Sequence, residues 1–218
     1  MAPLGSNAKY WYLKNLSFFE CLTDQEFDDL ARMAQMHLLP RKAFVYGRED
    51  ETHYVYFVKR GHLKIARMVD GRELIVDVIS PGEFFGEITG TSIVDEVAEA
   101  LDEATVCVFR SEDFARILDS NSKLNREILK HVGDRLVRFK ERLVDIAFRD
   151  ARSRVAGFIV RYAEELGFLT HQEIAFLTGL SRQTVTQTLN AFREDGLITF
   201  DRSGIQVVQM DELREMSA

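Results

Sequence analysis

The pattern of hydrophobic and polar positions in residues 170–192, THQEIAFLTGLSRQTVTQTLNAF, predicts two short helices separated by a tight turn. Thr170 and Glu173 have the spacing of a capping box that begins the first helix. Gly179 supplies the turn, because a positive φ costs little only for glycine, and Ser181 is expected to cap the second helix. Apolar positions at helical spacing predict the buried faces of both helices: Ile174, Ala175, Leu177, Val185, Leu189 and Phe192.

A two-stranded hairpin is predicted directly after the second helix. Residues 194–196, Glu-Asp-Gly, end the helix, and residues 197–200 and 205–208 have the composition of strands around a turn at 201–204. Two helices followed by such a wing are typical of a winged helix-turn-helix, which places its second helix in the major groove of DNA.

The polar positions left on the second helix suit DNA recognition, and they are Arg182, Gln183, Thr184, Thr186 and Gln187. Arginine reads guanine with two hydrogen bonds, glutamine reads adenine, and hydroxyl groups bind phosphates. The alternative is an ordinary helical hairpin whose polar residues face water. Ala175, Gly179 and Val185 argue against it, since they stand where helix-turn-helix proteins need a small residue, a turn residue and a core residue.

The hydrophobic pattern changes between Leu38 and Phe114. Short runs in which apolar and polar residues alternate are separated there by glycines. These runs are Tyr54–Val58, His62–Arg67, Leu74–Ile79 and Thr105–Phe109. Short strands at a spacing of about ten residues indicate an all-β barrel or roll. The preceding stretch, from Tyr10 to about Gln35, is predicted to be helical, with a start signal at residues 24–26.

Residues 121–148 carry a heptad pattern. Two sets of apolar residues repeat every seven positions, and they are Leu129, Val132, Leu136, Phe139, Leu143 and Ile146, hereafter the seam residues. A single buried helix would also have an apolar stripe. The strict repeat favours a long helix that pairs with a second copy, and therefore a homodimer.

Composition and charge narrow the class of protein. The chain has 218 residues, of which 46% are hydrophobic and 29% charged, as in ordinary globular domains. It shows no membrane-length apolar run and no signal-peptide core, so we expect a cytoplasmic protein without a membrane partner. Nothing resembles a nucleophile–base pair, a metal triad or a phosphate loop, so we expect no enzyme.

The net charge of the chain is −7 overall and −3 in residues 150–218. Because a DNA-binding domain is usually basic, this charge predicts a modest DNA affinity that depends on a dimer.

The parts in this order resemble the cyclic-AMP receptor protein/fumarate-nitrate regulator family of bacterial transcription regulators. The resemblance covers nearly the whole chain and rests on PGEFFGE at 81–87, the GHLKIAR and DGRELIVDVI strands, IAFRDARSRVA at 146–156, and GLSRQTVTQTLN at 179–190. It implies an α+β fold with a cupin-like β-roll of the cyclic-nucleotide-binding type, a long dimerisation helix and a C-terminal winged helix-turn-helix. The expected domains are 1–120, 121–148 and 149–218.

The resemblance also assigns roles in DNA binding. Arg182, Gln183 and Gln187 occupy the base-reading positions of the recognition helix, and Arg182 suggests a G·C pair in each half-site. The residues expected at DNA phosphates are Thr170, Gln172, Ser181, Thr184 and Arg202. Double-stranded DNA and a second copy of the chain are the expected partners. RNA polymerase is a further candidate, although only residues 167–169 stand where activators of the family carry a polymerase-touching hairpin.

The effector pocket that the resemblance implies is degenerate. Its positions here are Gly86, Glu87, Val94, Asp95, Phe139 and Lys140. The family's cyclic-nucleotide-binding members hold the phosphate with an Arg-Ser pair, which Val94 and Asp95 replace. Residues 87–103 contain six acids and no lysine or arginine, and each close like charge would cost about 1–4 kcal/mol. We therefore expect that cyclic nucleotides do not bind.

The sequence signals for the family's other effectors, iron–sulfur clusters and haem, are absent or weak. A cysteine cluster for iron–sulfur chemistry is absent, since the chain has only Cys21 and Cys107. Histidines of a type that could ligate haem occur without metal-site spacing, and they are His37, His53, His62 and His131. No cofactor is predicted. The leading interpretation is a homodimeric transcription regulator gated by an unknown small-molecule effector other than a cyclic nucleotide. A constitutive regulator with a self-filled pocket and a haem-based gas sensor are the alternatives.

Overall fold

A computed structural model describes residues 2–3, 10, 12–14, 16–47, 53–69, 72–88, 96–166, 168–202 and 204–217. The chain divides into two compact units. The first contains Met1–Arg72 and Val76–Arg135, and the second contains Glu73–Ile75 and Leu136–Ala218. The predicted fold class, a β-roll followed by a long helix and a winged helix-turn-helix, is confirmed.

The first unit is built on two antiparallel sheets. One sheet has the order β1-β2-β9-β4-β7, and the other has the order β3-β8-β5-β6. The strands are β1 (Ala2–Pro3), β2 (Gln35–Leu39), β3 (Phe44–Tyr46), β4 (Tyr54–Arg60), β5 (Leu63–Val69), β6 (Arg72–Ile79), β7 (Phe84–Gly86), β8 (Glu96–Ala100) and β9 (Ala104–Arg110). The four strands predicted from alternation are confirmed to within two residues, and the other strands were not predicted.

Side chains of β4 alternate between two hydrophobic cores, as the two-residue period of a strand requires. Tyr56 and Val58 point into the core that the two sheets share, the roll interior. Val55 and Phe57 lie in a second core, which is formed against helices. Both faces of the sheet around β4 are therefore buried, and its strands are hydrophobic on both sides.

The predicted helix from Tyr10 to about Gln35 is not one continuous helix. Tyr10 and residues 12–14 are helical, helix α1 spans Asp24–Met33, and Gln35 already belongs to β2. Thr23 begins α1 through a capping box with Glu26, which isolates it from the segment before it. Residues 17–19 form a separate 3₁₀ turn.

Two helices follow the sheets. Helix α2 spans Ser111–Ser120, and helix α3 spans Ser122–Phe148. Leu124 and Ile128 of α3 are buried in the helix-side core of the first unit. Helix α3 continues into residues of the second unit without a break at the Arg135/Leu136 boundary.

In its described residues, the second unit contains four further helices and a hairpin. They are α4 (Ala151–Leu166), α5 (His171–Thr178), α6 (Arg182–Glu194), β10 (Ile198–Asp201), β11 (Gly204–Val207) and α7 (Met210–Ser217). The wing strands differ by one residue from their predicted positions. Strand β10 pairs with β11 from Ile198 opposite Val207 to Asp201 opposite Gly204.

Candidate DNA interface and effector pocket

The helix-turn-helix is fixed by three local devices. Thr170 caps α5, its hydroxyl accepting from the Glu173 N–H at 3.2 Å while the Glu173 carboxylate accepts from the Thr170 N–H at 2.7 Å. Gly179 ends α5 with a φ of 67°. Ser181 caps α6 by accepting from the Thr184 N–H at 3.1 Å. These predicted caps and the predicted turn are confirmed, and together they set the angle between α5 and α6.

The inner face of α6 is packed as the apolar pattern predicts. Val185, Leu189 and Phe192 are completely buried. The guanidinium of Arg152 on α4 lies 4.9 Å from the centroid of the Phe192 ring, a distance at which a cation is attracted to the ring face. The recognition helix is therefore held in place by its packing against α4 and α5. This packing fixes the backbone positions from which its outer side chains extend.

The three predicted base-reading residues, Arg182, Gln183 and Gln187, are all exposed on α6. Arg182 is the first residue of the helix, where the helix N-terminus favours a nearby phosphate. Within the described part of the chain, its guanidinium makes no hydrogen bond or ion pair. Their role in reading bases remains a prediction, and the structure leaves all three side chains accessible.

The residues predicted to contact phosphates lie at helix N-termini and in the wing. Thr170, Gln172 and Ser181 are exposed at the starts of α5 and α6. Thr184 is partly buried, and its hydroxyl lies 2.8 Å from that of Ser181. Arg202 is exposed in the wing turn, where the Asp201 carboxylate accepts from the Gly204 N–H at 3.2 Å.

One contact of this surface was not predicted. His171 Nδ1 lies 2.9 Å from the Thr186 hydroxyl, so the first residue of α5 is tied to the outer face of α6. Both residue types are ordinary surface residues, and only their fifteen-residue separation across the turn could have suggested the contact.

In the first unit, Glu87 follows β7 and is 8% exposed. Its carboxylate lies 3.2 Å from His53 Nδ1, and its carbonyl accepts from the Ser111 hydroxyl at 2.7 Å. The preceding Gly86 has a φ of 97°, and a Cβ there would lie 2.3 Å from the Tyr54 carbonyl oxygen. Glycine is therefore required at 86 by the close approach of β4, independently of any ligand.

Aromatic rings occupy the roll interior beside Glu87. Tyr56 stacks on Phe85 with 4.8 Å between ring centroids, and Tyr46 lies 6.1 Å from Tyr56. Burial raises the pKa of the Tyr46 hydroxyl. These three side chains are at most 5% exposed, so they fill part of the space that the two sheets enclose.

A partly buried ion pair borders the same interior. The Arg135 Nε atom lies 2.6 Å from an Asp77 carboxylate oxygen. Burial raises the pKa of Asp77, an effect that the Arg135 charge opposes. Burial likewise raises the pKa of Glu96, with Arg67 and Arg135 opposing it. The sequence analysis counted Glu96 among the six acids of residues 87–103, but it did not identify Asp77 or its pairing with Arg135, because these two residues are distant along the chain.

The remaining positions of the predicted pocket lie outside the described residues or in the second unit. Val94 and Asp95 lie outside the described residues. Phe139 and Lys140 belong to the second unit, on α3, where Phe139 is partly buried and Lys140 is exposed. The effector pocket as a set of six residues therefore remains a prediction.

The seam residues are largely exposed in the single chain. Leu129 is 69% exposed, Leu136 52% and Leu143 66%, while Val132 and Ile146 are 47% and 40% exposed. Phe139 is partly buried. Two further residues on α3, Val137 and Val144, are 53% and 51% exposed. The heptad pattern did not include these valines, and they widen the exposed apolar stripe.

The histidines considered as haem ligands lie in varied surroundings. His53 contacts Glu87, and His62 Nδ1 lies 2.9 Å from Asp102. The His131 ring packs 4.8 Å from Phe84, and burial lowers the pKa of His37. Among the described residues, no three or more His, Cys, Asp or Glu side chains form a group that could hold a metal ion. In the same residues, no helix has the length and apolar character needed to cross a membrane.

A β-roll joined through a long helix to a winged helix-turn-helix with a capped, accessible recognition helix defines a DNA-binding transcription regulator. Comparison with known families agrees. Residues 36–121 match the cyclic nucleotide-binding domain model, and residues 153–216 match the Crp-like helix-turn-helix domain model. The chain belongs to the cyclic-AMP receptor protein/fumarate-nitrate regulator family.

Individual relatives are similar over almost the full chain. The cyclic AMP receptor protein of Thermus thermophilus is 25% identical over 215 residues, which cover 94% of this chain and 98% of that protein. The nitrogen fixation regulation protein FixK of Bradyrhizobium diazoefficiens is 27% identical, covering 89% of this chain and 85% of its own. The FixK2 structure from Bradyrhizobium japonicum has the same fold, with a TM-score of 0.76 at 21% identity over 85% of this chain and 98% of its own.

Proposed function

We propose that this regulator works as a homodimer that places two recognition helices on a two-fold-related DNA site. The observation that carries the proposal is the exposed apolar stripe of the seam residues on α3. Apolar patches of this kind on a single chain usually mark an interface, and the heptad spacing suits a parallel helix pair. A helix-turn-helix dimer then reads half-sites about one helical turn of DNA apart.

The proposed effector is a small molecule other than a cyclic nucleotide. The Glu87 carboxylate, which would hold a ribose, is already engaged by His53 at 3.2 Å. The carboxylates of Asp77 and Glu96 also border the roll interior, where Arg135 and Arg67 offset part of their negative charge. On the helix side of the sheet, a cavity of about 470 Å³ is lined by Glu87, Glu112 and Asp119, and these carboxylates favour a neutral or cationic molecule over an anion there.

A constitutive regulator is the second candidate, and the aromatic filling of the roll favours it. Tyr46, Tyr56 and Phe85 occupy interior space that a ligand would otherwise use. In that case the packed interior itself would hold α3 in the DNA-binding arrangement. A haem-based sensor has less support, since no observation on the described histidines favours it over their present contacts.

Native mass spectrometry of freshly purified protein, followed by DNA-binding assays, separates these proposals. A mass of two chains supports the dimer, and an added mass identifies a retained effector or haem. If ligand-free dimer binds a selected DNA duplex as tightly as protein in cell extract does, the regulator is constitutive. A monomer at tens of micromolar would contradict the dimer proposal.

The remaining assignments are also proposals. We assign no catalytic activity and no resident cofactor to the chain, and we place it in the cytoplasm. Contact with RNA polymerase would have to use a surface other than residues 167–169, which are too few for a hairpin. The transcription-regulator family to which the chain belongs supports the first assignment.

A further inference from the structure

His171 occupies a junction of three elements in the DNA-binding unit. It is the first residue of α5. Its Nδ1 atom lies 2.9 Å from the Thr186 hydroxyl on α6, and its ring centroid lies 6.4 Å from that of Phe200 in the wing. The ring is therefore next to the residues predicted to contact DNA phosphates, at the N-terminus of α5.

The hydrogen bonds determine which ring nitrogen carries the proton. Thr186 donates its single hydroxyl hydrogen to the Arg182 carbonyl at 2.9 Å. The same oxygen must then accept from His171, so Nδ1 bears a hydrogen. In the neutral ring Nε2 is consequently an acceptor without a hydrogen. Among the described residues, His171 forms no other hydrogen bond, so Nε2 is available to gain a proton and donate it to an external anion.

The surroundings of the ring favour its neutral form in the free protein. Burial and then the nearby Arg182 charge lower the pKa of His171, and the positive end of the α5 dipole acts in the same direction. On its own helix, Glu173 is engaged by Thr170 in the capping box. From the wing, Phe200 is uncharged, and the charged residues there are Asp201 and Arg202.

We propose that His171 is a further DNA-contacting residue, which takes up a proton and binds a backbone phosphate as the imidazolium. A phosphate within reach favours the charged ring, so the DNA complex holds more protons than the free chain does. DNA affinity then increases as the pH falls from the pKa of His171 in the complex to its lower pKa in the free protein. Below the free-state pKa the affinity becomes constant.

The sign and the size of the effect follow from linkage. Each unit by which DNA raises the pKa of His171 increases affinity about tenfold per bound chain at low pH. A dimer with two such contacts would gain about a hundredfold per unit. Phosphate contacts from arginine do not titrate in this range, so they contribute no slope between pH 5.5 and pH 8.5.

The test measures binding to a fluorescent DNA duplex, obtained by selection with the wild-type protein, at constant ionic strength across this pH range. Wild type should bind with a negative slope of log affinity against pH. In His171→Gln, the amide can still donate to Thr186 but cannot become charged, so the slope should disappear. The matched control is His37→Gln, because His37 is also a partly buried histidine with a lowered pKa, and this variant should keep the wild-type slope.

A second measurement does not depend on any variant folding. Nitrogen-15 spectra of histidine-labelled wild type should show that the pKa of His171 rises by about one unit or more when the duplex is added. An unchanged pKa, a flat wild-type profile, or equal slopes in wild type and His171→Gln would each overturn the proposal. A flat slope confined to His171→Gln, together with a raised pKa in the complex, would support it.

Discussion

Leu136, the most central exposed leucine of the seam, gives the sharpest test of the proposed dimer. It lies on α3 between Leu129 and Leu143, and 52% of its surface is exposed in the single chain. If the seam residues pair with a second copy, this exposed half becomes buried on association. Truncating the side chain should then weaken the dimer while the fold of the single chain is preserved.

The magnitude follows from the exposed fraction. Complete burial of a leucine side chain contributes about 1.5–3 kcal/mol, so covering half of it contributes about 1 kcal/mol per chain. Leu136→Ala should cost about 2 kcal/mol per dimer, which raises the dissociation constant about thirtyfold. Leu136→Asp also brings two carboxylates together across the interface. Their repulsion costs about 4 kcal/mol if they lie 4 Å apart in a partly hydrated interface. That variant should be monomeric.

Sedimentation equilibrium over a range of concentrations measures these dissociation constants directly. The control is Lys130→Asp, which introduces the same carboxylate at an exposed position of α3 outside the seam and should leave the dimer intact. Circular dichroism must show equal helix content in all variants. If Leu136→Asp sediments as a dimer with wild-type affinity, the interface lies elsewhere and the reasoning from the heptad is refuted.

Further predictions concern the DNA interface and the pocket. Arg182→Ala should weaken binding to selected DNA at least tenfold and flatten base preference at one symmetric pair, since each bidentate contact contributes about 1–3 kcal/mol; an unchanged preference in a repeated selection would contradict base reading. Gln172→Ala should weaken binding to all sequences about equally in the same assay. Calorimetry with millimolar cyclic AMP and cyclic GMP should show no binding heat, and low-micromolar affinity would refute the proposed exclusion. Thr170→Ala should lower the free energy of unfolding by about 1 kcal/mol in urea titrations because it removes the α5 cap, whereas a loss near zero would mean that Glu173 maintains the cap alone.

The sequence predicted best those elements whose signals are local. The capping box at Thr170, the left-handed Gly179 and the cap at Ser181 each depend on residues within four positions of one another, and all three are confirmed. The strands with clear alternation were also found. The predicted helix before Gln35 was too long because apolar spacing alone does not show that one helix ends and another begins, whereas the N-cap at Thr23 marks the start of α1.

Contacts between distant segments could not be predicted. Asp77 and Arg135 are 58 positions apart in the sequence, and nothing near either residue indicates its partner. The short strands β3 and β7 have three residues each, too few for a two-residue period to be recognised, and they exist because neighbouring strands supply their hydrogen bonds. The same holds for the site: the residue types at α6 could be read from the sequence, but the His171–Thr186 contact depends on how the turn folds.

The net negative charge of the DNA-binding part argues less strongly against DNA binding once the positions of the charges are known. Asp195 is neutralised by its ion pair with Arg152, whereas Glu173 and Asp201 accept hydrogen bonds from Thr170 and from the Gly204 N–H. Arg182 and Arg202 are exposed and have no ion-pair partner within the described residues. A phosphate backbone responds to local positive potential within about 10 Å at ordinary salt. The exposed Arg182 and Arg202, together with the N-termini of α5 and α6, can therefore attract DNA although residues 150–218 carry a net charge of −3, and the proposed second copy would bring the same groups to the other half-site.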